Sequence, residues 1–228
     1  MLDLYDTNDA IVVIIDVFRA TSTIAAALHN GAKSVIPVST VQECIEIGQS
    51  IPNSITAGER DGKIAEGLQH GNSPSEYPRS FVEDKTLVLT TTNGTRLLHM
   101  IEGEYAIVTG SFLNLTAVCE YLVAQKKNVL LACASWKDRF NLEDTLFAGA
   151  VVDCVKEHFD INCDSSRAAK YLYDQSGGKD FIEFLKDSTH YIRLAAYGLE
   201  SDMEYCTLPD LHPVLPILKD GKLEVYRP

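Results

Sequence analysis

Short apolar runs alternate with amphipathic stretches along most of the chain. The run AIVVII at residues 10–15 is rich in β-branched residues and ends at Asp16, a pattern typical of a buried central strand. Similar runs predict further strands at residues 34–38, 54–57, 86–90, 106–108, 128–133 and 223–226. Helical spacing predicts helices at residues 20–29, 41–48, 115–124, 142–159, 165–173 and 179–186, with others at 95–100 and 189–198. This alternation favours an α/β fold with three α/β/α layers around a mostly parallel or mixed sheet.

Two segments of the chain resemble each other in the order of their predicted elements. Residues 10–57 contain a strand, a polar motif, a helix, Gly31 and a second strand, and residues 86–133 repeat this order with Gly103. We predict a single domain over residues 1–228, and two intertwined similar halves near 10–57 and 86–133 are one interpretation of it. Any two βαβ units would share part of this pattern, so the alternative of no duplication stays open.

The charge of the chain narrows the classes of partner. The net charge is −12 and the isoelectric point is about 4.9, so neither nucleic acid nor an anionic membrane is an expected partner. The six cysteines form no CxxC pair and no array with metal-ligand spacing, which predicts reduced thiols in a cytoplasmic protein. No basic leader segment and no apolar run of about 18 residues is present, so we expect no membrane span.

The first polar motif follows the first strand. Asp16 stands at the strand tip, and Arg19, Thr21 and Ser22 follow at the start of the next predicted helix. A carboxylate at a strand tip can hold Mg²⁺, and a helix N-terminus with hydroxyl groups can bind an anion. The alternative is a helix cap formed by Thr21 or Ser22, with Asp16 paired to Arg19.

The second motif, GER at residues 58–60, precedes a long loop that contains Gly71-Asn72-Ser73-Pro74. Glu59 is a second acid at a strand end, and the guanidinium group of Arg60 matches the geometry of phosphate or sulfonate oxygens. Small residues such as those of the loop allow backbone amides to approach a ligand closely. As an isolated tripeptide, GER would be interpreted as a surface turn with a salt bridge.

The third motif is the most hydroxyl-rich stretch of the chain. Residues 90–96, TTTNGTR, lie between a predicted strand and a predicted helix, and they offer hydroxyl groups, an amide and Arg96 to a phosphate. No GK[ST] sequence follows, so this is not a P-loop. An Asn-Gly turn with a threonine cap would explain only part of the motif.

A fourth motif, FNLEDTLFAGA, places Glu143 and Asp144 at a helix start. The helix dipole favours acids there, and Asn141 with Asp144 is close to a capping box. Adjacent acids point to different sides of a helix, so one can cap while the other reaches a metal. His190 and Asp202 lie in the C-terminal part of the chain. No second histidine or other motif accompanies His190, and a lone histidine is usually structural or exposed.

Taken together, these motifs resemble the 2-phosphosulfolactate phosphatase family. The segments IDVFRATSTIAAALHNGA, AGERDGKIAEGLQHGNSP, TTTNGTR and FNLEDTLFAGA occur in the order and at the spacing of that family, over roughly residues 10–210. The resemblance implies an α/β fold, a homodimer and a Mg²⁺-dependent enzyme that converts 2-phosphosulfolactate to 3-sulfolactate and phosphate in coenzyme M biosynthesis. The sequence departs from the pattern at Gly67-Leu68-Gln69, where Gly-Phe-Asp is usual, and at Ala134-Ser135-Trp136, where a glycine is typical.

The resemblance also implies the roles of individual residues. The implied catalytic residues are Asp16, Arg19, Glu59, Arg60 and Arg96. The implied substrate-binding residues are Thr21, Ser22, Asn72, Ser73, Thr91, Thr92, Asn93 and Thr95, and the metal ligands are Asp16, Glu143 and Asp144. We predict that Arg96 contacts the phosphate and Arg60 a second anionic group. Two alternatives remain: a phosphatase of another small phosphorylated acid, and a binding protein that does not turn its ligand over.

Overall fold

The strands and helices of the chain form one layered sheet structure. The computed structural model describes residues 9–60, 62–91, 94, 106–135, 139–178 and 180–228. Within these residues the strands are β1 (Ile11–Ile15), β2 (Ser34–Val38), β3 (Ser54–Arg60), β4 (Lys63–Ile64), β5 (Thr86–Thr90), β6 (Ala106–Gly110), β7 (Val129–Cys133), β8 (Pro216–Lys219) and β9 (Lys222–Val225). The helices are α1 (Ala20–His29), α2 (Val41–Ser50), α3 (Arg79–Val82), α4 (Leu115–Gln125), α5 (Leu142–Val155), α6 (Asp164–Ser176), α7 (Phe181–Leu185), α8 (Thr189–Ala195) and α9 (Glu200–Cys206).

The sheet consists of two parallel blocks joined by a hairpin. The strand order is β4-β3-β5-β2-β9-β8-β6-β1-β7. Strands β3, β5 and β2 are parallel to one another, as are β6, β1 and β7. The pairs β2–β9, β9–β8 and β8–β6 are all antiparallel, so the two blocks have opposite polarity along the sheet.

The core lies on both faces of the sheet. Along β1, the side chains of Val12 and Ile14 join the apolar cluster that contains α1, while those of Val13 and Ile15 join the cluster of α4 and α5. Successive side chains of a strand point to opposite faces, so helices must cover both sides. This confirms the prediction of an α/β/α fold with a mixed sheet.

Several element boundaries differ from the predictions. Helix α1 and strands β2 and β5 have the predicted bounds, whereas α5 ends at Val155, where a polar run from Lys156 to His158 follows. Strand β8 and helix α9 were not predicted, and β8 begins with Pro216, which is tolerated at the first position of a strand. The predicted helix at 95–100 lies outside the described residues. In the part of the chain that the structure describes, no helix combines the length and the hydropathy needed to span a membrane.

Candidate active site

The turn between β1 and α1 is held by its own hydroxyl groups. Thr21 donates its hydroxyl hydrogen to the carbonyl oxygen of Asp16 at 2.9 Å, and its Oγ1 accepts from the Asp16 N–H at 3.2 Å. Ser22 donates to the carbonyl oxygen of Val17 at 2.9 Å. Both hydroxyls therefore close the turn that presents Asp16. Neither caps the helix, because Arg19 is the N-cap residue of α1 and no side chain caps that end, so the capping alternative is wrong. Contact of the two hydroxyls with a substrate stays a prediction.

The third motif packs against the first at Gly94. A Cβ atom added to Gly94 would lie 2.7 Å from Oδ2 of Asp16 and 2.8 Å from Cβ of Ala20, so a larger residue would displace the carboxylate. Thr91, at the start of the same motif, is buried. The predicted site residues Thr92, Asn93, Thr95 and Arg96 lie outside the described residues. The contact of Gly94 nevertheless brings this motif to the tip of β1.

The fourth motif supplies two buried acids beside the same turn. Asp144 accepts the N–H of Val17 at its Oδ1 at 2.9 Å and the side-chain amide of Asn141 at its Oδ2 at 3.4 Å. Oε1 of Glu143 lies 2.5 Å from Nδ1 of His190. Oε2 of Glu143 is buried and has no hydrogen-bond partner among the described residues. The two acids thus have different surroundings: Asp144 is held at both oxygens, whereas Glu143 keeps one oxygen without a partner.

The electrostatics show that these acids form one cluster. The pKa of Asp16 is raised to about 6, mainly by burial; the charge of His190 acts to lower it, and those of Glu143 and Glu59 act to raise it. Burial also raises the pKa of Asp144 well above its usual value, with further contributions from Glu143 and Asp16. The mutual repulsion of buried carboxylates is a cost that a bound cation would relieve.

The first and second motifs are linked through the C-terminal part of the chain. The guanidinium group of Arg19 forms a buried ion pair with Asp202 on α9. The second oxygen of that carboxylate accepts the hydroxyl of Ser73 at 2.5 Å. In addition, Thr23 on α1 donates to the carbonyl oxygen of Asn72 at 3.1 Å. One acid from α9 therefore holds residues of two motifs that are distant in sequence.

A cavity of about 190 Å³ lies where these motifs meet. Its walls include Arg19 and Asp202, the second-motif residues Glu59, Asn72 and Ser73, and also Lys63, Ile64, Leu199, Glu76, Gly62 and Gly71. Pockets for drug-sized ligands are larger, at roughly 300–1,000 Å³. The volume therefore suits a substrate of only a few carbon atoms.

Arg60 does not line this cavity. Its Nη1 donates to the carbonyl oxygen of Glu59 at 2.6 Å, and its Nη2 donates to Oγ1 of Thr90 at 3.2 Å. Gln69, which occupies one of the positions that depart from the family pattern, accepts the N–H of Thr56 at 3.0 Å with its side chain. The Gln69 side chain therefore fastens the long loop to β3, and Gln69 does not line the cavity. The predicted role of Arg60 towards a second anion stays a prediction.

The residues that sequence reasoning did not place at the site are Asp202, His190 and Lys63. Asp202 lies on a helix that was not predicted, and His190 is a lone histidine without a motif around it. Lys63 is an exposed lysine directly after a turn, like many surface lysines. These residues can be recognised as parts of the site only from their positions in the fold. Each contacts partners that are remote in sequence or lines the cavity.

The described residues contain no group of three or more His, Cys, Asp or Glu side chains arranged to hold a metal ion. The chemistry of the acid cluster still suits Mg²⁺, which prefers hard oxygen ligands and is often bound by only one or two carboxylates plus water and substrate phosphate. The buried oxygen of Glu143 without a partner and the repulsion between Glu143, Asp16 and Asp144 are the two observations that fit a bound cation.

Comparison with known protein families places the chain among the phosphoric monoester hydrolases. The matching family model is described as 2-phosphosulpholactate phosphatase and covers residues 2–221, and the chain belongs to this family.

Relatives with the same description cover nearly the whole chain. A protein of Thermotoga maritima named probable 2-phosphosulfolactate phosphatase is 44% identical over 209 residues, which are 92% of this chain and 89% of the relative. Proteins of the same name from Clostridium tetani and Caldanaerobacter subterraneus are 37% and 36% identical, and the matches cover 94% and 95% of this chain and 91% and 90% of those proteins. The predicted family is thus confirmed.

Proposed function

We propose that this protein hydrolyses 2-phosphosulfolactate to 3-sulfolactate and phosphate with the help of Mg²⁺. The observation that carries the proposal is the cavity at Arg19 together with the buried acid cluster of Asp16, Glu143 and Asp144. The two are linked through Glu59, which lines the cavity and whose charge acts to raise the pKa of Asp16. Acids close to the guanidinium group of Arg19 would repel a bare anion. A cation that joins these acids to the phosphate of an ester would remove that repulsion. The family of the chain and the names of its relatives support the same substrate.

Within this proposal the acid cluster holds the metal. Asp16 and Glu143 are the first candidates for ligands, because Asp144 already accepts two hydrogen bonds from the protein. When bound, Mg²⁺ would neutralise charge on the phosphate and orient it. Glu143 is itself oriented by its contact with Nδ1 of His190, an arrangement that fixes the direction of its remaining oxygen.

The residues around the cavity contribute by fixed charge and position. Arg19 is held in place by Asp202, so its charge is already oriented before a substrate arrives. Asn72 and Ser73 line the same wall, and Thr23 fastens the Asn72 backbone. Polar groups that need no reorganisation stabilise developing charge most effectively. The chain would therefore act on the phosphoryl group mainly by positioning and electrostatics.

The test is release of phosphate from a panel of small phosphorylated acids, with Mg²⁺ and with EDTA. We expect the highest kcat/KM for 2-phosphosulfolactate and no turnover in EDTA. Binding of Mg²⁺ should also raise the thermal unfolding temperature in the absence of substrate, since a ligand that binds only the folded state stabilises it. Turnover that survives complete chelation would refute the metal, and tight binding of 2-phosphosulfolactate without phosphate release would instead identify a binding protein.

A further inference from the structure

The cavity is lined by two cations, and one of them is already engaged. Arg19 and Lys63 are the positively charged residues of its walls, whereas Asp202, Glu59 and Glu76 are the negatively charged ones. Arg19 forms its ion pair with Asp202 inside the protein. Its charge is therefore largely balanced before any ligand binds, and the ammonium group of Lys63 is the second source of positive charge.

The remaining acids of the cavity hold backbone amides. Oε2 of Glu59 accepts the N–H of Gly62 at 3.2 Å, and Oε2 of Glu76 accepts the N–H of Gly71 at 3.1 Å. Among the ion pairs of the described residues, none includes Lys63. Lys63 thus lines the cavity, and its ammonium group forms no ion pair with a carboxylate of the described residues.

The hairpin that carries Lys63 is held in place by strand pairing and by a tyrosine ring that packs on its turn. Strand β4 pairs with β3 in the register Arg60–Lys63 and Glu59–Ile64. A Cβ atom on Gly62 would lie 2.7 Å from Cδ2 of Tyr197, so the ring of Tyr197 packs directly on the turn of the hairpin. These contacts hold the backbone of Lys63 at the cavity, while its exposed side chain stays able to adjust to a ligand.

We propose that Lys63 binds the anionic group of the substrate that is remote from the transferred phosphate, a carboxylate or sulfonate. The inference rests on the function proposed above. Arg19 lies three residues from Asp16 in the chain, so we assign it to the phosphate. Lys63 lines the same cavity from a different segment, the β3–β4 hairpin, and an ammonium group is a compact point charge without a planar fork. Binding by Lys63 should therefore depend on the charge of the remote group more than on its shape.

The experiment compares Lys63→Gln with the wild type on three substrates that differ in remote charge. These are 2-phosphosulfolactate, phospholactate and p-nitrophenyl phosphate, which has no second acidic group. Loss of one charged hydrogen bond should raise KM for the first two by about tenfold. The kinetics with p-nitrophenyl phosphate should change by less than about twofold, since an isolated surface charge contributes little.

Two further variants make the comparison specific. Lys33→Gln removes the same charge from the amino end of β2, away from the loops that follow β3 and β5, and should leave all three substrates unaffected. Arg60→Gln tests the competing prediction for the second anion. Equal losses on all substrates for Lys63→Gln, or a selective loss for Arg60→Gln alone, would overturn the assignment of Lys63.

Failure of the proposed function has a different signature. If the wild type releases phosphate from none of the esters, the affinities of 3-sulfolactate and of uncharged glycerol are measured by calorimetry for the wild type and Lys63→Gln. Weakening of sulfolactate binding by about tenfold in the variant would still support Lys63 as the anion contact. Unchanged sulfolactate affinity would refute it independently of catalysis.

Discussion

The carboxylate of Asp202 forms an ion pair with the guanidinium group of Arg19, a residue 183 positions earlier in the chain. Both side chains are buried, with 7% and 4% exposed, and the same carboxylate accepts the hydroxyl of Ser73. Removal of one partner from a buried pair leaves the other charge uncompensated. The C-terminal helix α9 is therefore part of the candidate site although it carries none of the four motifs.

We predict that Asp202→Ala lowers the free energy of unfolding by about 3–5 kcal/mol, as for other broken buried pairs, and also lowers kcat/KM. Urea denaturation and phosphate release measure the two effects. The matched control is Glu83→Ala, which breaks the exposed pair with Arg79 and should cost no more than about 1 kcal/mol. Similar losses of unfolding free energy for the two variants would mean that the Arg19–Asp202 pair contributes no more than an exposed pair.

Asp16→Asn should abolish turnover and leave the fold intact. The side chain is buried at the tip of β1, and burial is the main cause of its raised pKa, so the charged form is costly to the folded state. Its neutral replacement should therefore raise the unfolding temperature while removing an anionic oxygen from the acid cluster. Calorimetry and phosphate release are the measurements. Asp220→Asn, in the exposed turn between β8 and β9, serves as the control, and normal turnover by Asp16→Asn would show that Asp16 is only structural.

The cysteines should be dispensable for chemistry. Burial raises the pKa of Cys206 to about 12 and that of Cys44 to about 11, so neither thiol is ionised at neutral pH. We expect Cys206→Ala to lower stability while its kcat stays within about twofold of the wild type. For Cys163, burial acts to raise the pKa, but hydrogen bonds with neighbouring serines outweigh it, so iodoacetamide should modify this thiol before Cys206. Loss of turnover in folded Cys206→Ala would indicate a thiol nucleophile.

His212 should make the protein less stable in acid. Burial, with a smaller contribution from His29, lowers the pKa of His212 from 6.5 to about 4, and its Nε2 lies 2.6 Å from the hydroxyl of Tyr205. Between these two pKa values the unfolded chain binds a proton that the folded chain does not, so the free energy of unfolding falls as the pH falls.

The variant His212→Gln tests this effect, because it keeps a hydrogen-bond acceptor but cannot bind the proton. Its free energy of unfolding, followed by urea denaturation between pH 6.5 and 4, should depend less on pH than that of the wild type. His158→Gln removes a histidine from an exposed position and should leave the wild-type slope. Parallel curves for the wild type and His212→Gln would contradict the prediction.

Local patterns predicted the elements that carry the motifs. The bounds of α1, β2 and β5 agree with the structure, because β-branched runs and helical spacing act over a few neighbouring residues. The structure brings the polar motifs after β1, β3 and β5 together through the contacts of Gly94 with Asp16 and of Thr23 with Asn72. The sheet that carries them is mixed, one of the two arrangements predicted, with two blocks of opposite polarity.

The rest depends on contacts between remote residues. The polarity of the two blocks is set by the pairing of β8 and β9, which are short strands near three prolines and give little local signal. The positions of Asp202 and Lys63 at the cavity follow from the packing of α9 and from the β3–β4 hairpin. No spacing in the sequence links either residue to the motifs, so the composition of the cavity wall could not be predicted.

The central hairpin has a consequence for how the protein is made. Val35 of β2 pairs with Leu223, and Val108 of β6 pairs with Ile217, so the strands that join the two blocks leave the ribosome after both blocks have been synthesised. Until then, the edges of β2 and β6 are unpaired, and open strand edges readily pair with other chains. The nascent protein is therefore exposed to aggregation through these edges in the interval before residues 216–225 emerge.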